Sequence, residues 1–78
     1  MNGAERLEYL LEYNAMTPPV LGDKVGVSSQ AVRNWLSGTI PQVGIAVQVA
    51  KVFQPNGEDL LREWGYAAAA DGLAHGAL

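Results

Sequence analysis

The sequence predicts an all-α fold, and two observations carry the prediction. Residues that cap helices stand where apolar periodicity begins, at Asn2, Thr17 and Ser28, and residues that end helices stand where it stops, at Gly26, Gly38 and Pro41. Between these marks apolar side chains recur at the spacing of one helical face, as Leu7, Leu10 and Leu11 do, and again Ala31, Val32, Trp35 and Leu36.

The first helix is expected over about residues 3–13. Asn2 caps it while Glu5 reaches back to the Asn2 backbone, and Asn14 closes it by tolerating the left-handed conformation in which helices often end. The second helix is short, about two turns. Thr17 caps it, a proline occupies the first turn where a missing N–H costs nothing, and Gly26 stops it. Pro19 disfavours a helical Pro18, which moves the expected start one residue later. Ser28 caps the third helix, residues 29 to about 37, which Gly38 and Pro41 close.

Residues 43–53, VGIAVQVAKVF, stay open between two readings. Val43, Ile45, Val47 and Val49 alternate as in a strand and are β-branched, whereas Val43, Ala46, Val47, Ala50 and Phe53 share one side of a helix. Pro55, Asn56 and Gly57 signal a turn. Glu58 and Asp59 then occupy the first turn of a further helix that carries Leu60, Leu61 and Trp64. The last stretch, YAAAADGLAHGAL, is expected to be a frayed extension with an alanine-rich turn or two of helix and little to bury.

With 78 residues the chain is expected to form one domain, which buries only about 60% of the surface its unfolded chain exposes. It has no cysteine and one histidine, His75, so neither a disulfide framework nor a thiolate or imidazole metal site is expected, and no cofactor. No run approaches the roughly 18 apolar residues of a membrane span. The N-terminal residues carry carboxylates where a signal peptide needs a cationic start, and a cytoplasmic protein is expected. An enzyme is not: the carboxylates fall in first turns or on solvated faces, and no nucleophile has a base at recognisable spacing.

The net charge of −3 argues against a nucleic-acid ligand when taken over the whole chain, because Lys and Arg supply most of the affinity for phosphates. Its distribution argues the other way. Residues 1–23 set Arg6 against Glu5, Glu8, Glu12 and Asp23, and residues 58–78 set Arg62 against Glu58, Asp59, Glu63 and Asp71. Residues 24–57 between them carry Lys24, Arg33 and Lys51 and no carboxylate, an asymmetry that suits one face to an anion.

The second and third helices together form the informative constellation. Leu21, Val25, Val27, Val32 and Trp35 are apolar, Gly22 is small where two helices would cross closely, and Gly26 lies three residues before the third helix. From about Arg6 to Tyr66, and most specifically in GVSSQAVRNWLSGTIP, the chain resembles the Cro/CI-type (XRE-like) family of bacterial and phage DNA-binding domains. The resemblance implies a five-helix, lambda-repressor-like DNA-binding domain whose helix-turn-helix is made by helices 2 and 3. It also decides residues 43–53 in favour of a helix, since the family's fourth helix falls there.

The mechanism implied is insertion of the third helix into the major groove while the second lies across the backbone. The face opposite Ala31, Val32, Trp35 and Leu36 carries Gln30, Arg33, Asn34 and Ser37, with Ser29 at its edge, and these five are the expected base-reading residues. Gln and Asn suit adenine, Arg suits guanine, and Ser suits several base edges; none of the five is acidic. Thr17, Lys24, Ser28, Thr39 and Gln42 are the expected backbone contacts, with Lys51 a further cation nearby in the sequence. Departures from the family point to weak backbone affinity per copy. Pro18 and Pro19 replace polar residues, Leu36 stands where Glu is frequent, and Gly22 stands where Ala is usual, at a helix cost of roughly 1 kcal/mol.

The expected function is therefore a sequence-specific regulator of transcription acting on double-stranded DNA, a Cro-like protein or short repressor of phage or bacterial type. The alternative is an antitoxin or antirepressor that uses its acidic ends against a basic protein. Residues 1–66 make up the expected DNA-binding domain and residues 67–78 a tail. A homodimer through Ile45, Val49, Val52 and Trp64 would place two recognition helices on a near-palindromic operator.

Overall fold

A computed structural model of the chain describes residues 1–76, among which there are six α-helices and no strand. They are α1 (Gly3–Tyr13), α2 (Pro18–Val25), α3 (Ser29–Leu36), α4 (Val43–Val52), α5 (Gly57–Glu63) and α6 (Ala67–Ala74). Among the described residues no helix is long and apolar enough to cross a membrane.

The N-terminal signal behaves as its chemistry requires. The Asn2 side chain accepts from the Glu5 backbone at 2.8 Å and the Glu5 carboxylate accepts from the Asn2 backbone at 3.0 Å, a reciprocal cap on α1. The other end is a correction. Asn14 is not left-handed; Ala15 takes that conformation instead, at φ 50°, and the Asn14 amide donates to the Leu10 carbonyl at 2.7 Å. Asparagine closes the helix with its side chain and leaves the turn to its neighbour.

α2 begins at Pro18 rather than one residue later. Both proline rings fix φ near the helical value, and the two N–H groups they lack would have no partner in a first turn. Thr17 stands at the cap position but makes no side-chain cap bond; its carbonyl accepts from the Leu21 N–H at 3.0 Å. Residues 43–53 are helical, as α4 up to Val52, so burial of one face overrides the alternating β-branched pattern.

The core is built by Leu7, Leu10 and Leu11 of α1, Leu21 of α2, Val32 and Trp35 of α3, Ala46, Val49 and Ala50 of α4, and Leu60, Leu61 and Trp64 at α5. α6 adds Ala70 and Leu73 by packing on α5 and α4. The segment expected to have little to bury thus closes one side of the core, because Tyr66, Ala70 and Leu73 recur on one helical face. The last two residues of that expected tail lie outside the described residues.

The surface assigned to a second copy is also redistributed. Val49 is wholly buried and Trp64 nearly so, and Ile45 and Val52 are half-covered by the same core. α5 and α6 of the same chain cover the second stripe of α4, which removes Val49 and Trp64 from any contact between copies in the folded monomer. Val43, at the start of α4, remains exposed.

Candidate nucleic-acid interface

The site is set by how α2 turns into α3. Gly26 takes the left-handed conformation at φ 77°, and its N–H and that of Val27 both return to the Gly22 carbonyl, which ends α2 within one residue. A methyl group at Gly22 would stand 2.6 Å from the Val27 carbonyl oxygen. The glycine is therefore required by the turn, and the helix propensity it forfeits against alanine is outweighed by the contact that alanine would make. Ser28 is extended, and its hydroxyl accepts from the Ala31 N–H at 3.1 Å to start α3.

α3 is held from behind. Val32 is fully buried, and the Trp35 indole meets that of Trp64 edge to face with ring centroids 6.2 Å apart. Ala31 and Leu36 are half-buried at the margin. This fixes the rotation of the helix, so Gln30, Arg33 and Asn34 stand in solvent with Ser29 half-exposed beside them. Ser37 is exposed just past the end of α3, where its N–H donates to the Arg33 and Asn34 carbonyls.

The outward side chains are hydrogen-bonded to one another one turn apart. Gln30 Nε2 donates to Asn34 Oδ1 at 3.1 Å, and Arg33 Nη1 donates to Ser29 Oγ at 3.0 Å. Neither pair includes a carboxylate, so the Arg33 charge is not neutralised within the face.

The expected backbone-contact residues are all exposed: Thr17 before α2, Lys24 in its last turn, Ser28 before α3, and Thr39 and Gln42 between α3 and α4. The Thr17 hydroxyl and the Gln42 amide make no cap bond, so their side-chain oxygens are not engaged by the helix N-terminus. Pro18 and Pro19 leave the start of α2 two N–H donors short. Lys51 is exposed in the last turn of α4, and like Lys24 it sits where a cation favours the carbonyl end of its helix.

Two features of the loop after α3 were not among the expected site residues. Ile40 is 54% exposed, next to a buried Pro41 whose carbonyl accepts from the Tyr66 hydroxyl at 2.7 Å. Tyr66 thereby pins the Thr39 to Gln42 segment to the start of α6. No sequence signal pairs these residues, since they lie 25 positions apart. Comparison of the chain with protein-family models, curated proteins and solved structures finds no match.

Proposed function

We propose that the chain is a sequence-specific regulator of transcription that binds double-stranded DNA, with α2 and α3 as a helix-turn-helix and α3 in the major groove. The observation that carries this reading is the outer face of α3, where Gln30, Arg33 and Asn34 project from a helix whose rotation is set by buried Val32 and Trp35. A groove-entering helix needs donors and acceptors at its surface, no carboxylates towards the phosphates, and firm support behind. On this reading α1 to α5 form the DNA-binding domain and α6 is an added helix that completes its core. Thr17, Ser28, Thr39 and Gln42 supply neutral donors to phosphates on either side of the groove, and Lys24 adds charge.

The few cations call for two copies on a near-palindromic site. What α4 leaves for a second copy is Val43, exposed, and the uncovered parts of Ile45 and Val52. Selection of binding sites from random duplexes tests the reading: enrichment of a shared, near-palindromic motif is expected, and recovery of unrelated sequences alone would overturn it.

A second reading, an antitoxin or antirepressor that holds a basic protein, is favoured by the outer face of α1. Tyr9 and Tyr13 stack there with centroids 5.9 Å apart, and Met1, Glu5, Glu8, Tyr9 and Glu12 line an open groove of about 390 Å³. Retention of a basic protein partner together with no retention on DNA at any salt concentration would select it over the first.

A further inference from the structure

The outer face of α3 contains two hydrogen-bonded pairs, and their bonding leaves the members of each pair with different capacities. A glutamine amide has one acceptor oxygen and two N–H donors. In Gln30 one N–H is directed to Asn34 Oδ1 at 3.1 Å, which leaves the carbonyl oxygen and the second N–H. One acceptor beside one donor complements the N6 donor and N7 acceptor that adenine shows in the major groove. Asn34 has one lone pair of its oxygen taken up by Gln30, so the acceptor it could offer a base is shared, whereas that of Gln30 is wholly free.

The second pair divides in the same way. Arg33 spends one Nη1 donor on Ser29 Oγ at 3.0 Å and keeps its other guanidinium donors, enough for the O6 and N7 acceptors of guanine. Ser29 is half-exposed, and its oxygen is turned to Arg33.

We infer that Gln30 and Arg33 are the base readers of α3, for an adenine and a guanine respectively, and that Asn34 and Ser29 are positioning residues that hold those two side chains in their reading orientation. The inference rests on the proposed DNA-binding function and narrows it. Holding the readers in place before contact lowers the side-chain entropy lost on binding, so each contact discriminates more sharply than a free side chain would.

Site selection from random duplexes with the full chain and five variants decides it. Gln30→Ala is expected to abolish an adenine preference at one position of each half-site, and Arg33→Ala a guanine preference at another, each by about tenfold to a hundredfold. Asn34→Ala is expected to weaken the preference at the Gln30 position and nowhere else. The double variant Gln30→Ala/Asn34→Ala should lose no more there than Gln30→Ala alone. Asn34→Asp keeps the acceptor for Gln30, so its total affinity falls through charge repulsion while the ranking of bases at that position survives.

A preference lost by Asn34→Ala at a position of its own would overturn the assignment, since Asn34 would then be a reader. So would additivity of the two alanine substitutions. If the unmodified chain enriches no motif, the DNA-binding function itself falls and the assignment with it, a result distinct from enrichment in which the wrong position moves. Far-ultraviolet circular dichroism on each variant checks that the helical fold is retained, the outcome expected for substitutions at exposed helical positions.

Discussion

The indole of Trp35 meets the indole of Trp64 at 73° between planes, edge against face, and so joins the buried face of α3 to the end of α5. The same Trp64 lies against Gly3, where even a methyl group would collide with the ring. One side chain therefore ties together the first, third and fifth helices.

Trp64→Ala is accordingly expected to cost about 3 to 5 kcal/mol. A chain of 78 residues has a total stability of roughly 4 to 12 kcal/mol, so the loss removes a large share of it. Urea unfolding followed by circular dichroism measures this, and a loss under about 1 kcal/mol would show that α5 does not support α3. The milder pair Trp35→Leu and Trp64→Leu, taken singly and together, should show a coupling of about 0.5 to 1.5 kcal/mol.

Alanine substitutions at two glycines should act in opposite directions. At Gly22 the added methyl stands 2.6 Å from the Val27 carbonyl oxygen, so Gly22→Ala is expected to destabilise by about 1 to 3 kcal/mol. At Gly44 in α4 the nearest atom is the Gln42 side-chain oxygen at 3.9 Å, and Gly44→Ala should stabilise by about 0.5 to 1 kcal/mol through helix propensity. Thermal midpoints of the two variants check the pair, and equal shifts of the same sign would contradict it.

Much of the fold was legible in the sequence because its signals are local. The cap of Asn2 with Glu5, the Gly26 turn and the Ser28 cap each act within five residues, and each is present in the structure. The rotation of α3 was legible too, since Val32 and Trp35 mark its inner face. What was not legible is long-range. Val43 to Val52 carries a strand-like alternation that burial against α2, α5 and α6 overrides, and α6 itself depends on a core to which Ala70 and Leu73 add the last side chains. The candidate site followed the same division. Its exposed residues could be read from helical phase, whereas the bonds of Gln30 to Asn34 and of Tyr66 to Pro41 require side-chain positions that periodicity does not give.

Arg6 and Glu63 form a two-pronged ion pair between α1 and α5, with Nε and Nη2 donating at 3.0 and 2.8 Å. The hydrogen bond to Glu63, and then the attraction of that carboxylate, of Asp59 and of Tyr9 against some burial, raise the Arg6 pKa above its ordinary value. A raised pKa in the folded state contributes stability that is complete below the unfolded pKa and is lost only as pH climbs through the folded one. For an arginine that window lies in strong alkali. Arg6→Gln is therefore expected to cost about 1 to 2 kcal/mol by the same amount at about pH 6 and about pH 9. Unfolding at the two pH values checks this, and a loss present at only one of them would place the source elsewhere.

The scarcity of cations makes a quantitative forecast for DNA binding. Affinity falls with salt at a slope of about 0.9 per phosphate neutralised on duplex DNA. Lys24, Arg33 and Lys51 are the only cations of the carboxylate-free segment, and Arg33 is expected at a base edge. The slope per bound copy should therefore be about 2 or less. Lys24→Gln should lower it by about 1 if that side chain sits on a phosphate. Thr39→Val should weaken binding while leaving the slope unchanged, because a hydroxyl contacts phosphate without releasing a counterion. Fluorescence anisotropy over a range of salt concentrations on a selected duplex reads all three quantities. A slope above about 3 per copy, more than the three cations of the segment can supply, would mean that Arg6 or Arg62 also reaches the DNA and that the docking face extends beyond α3.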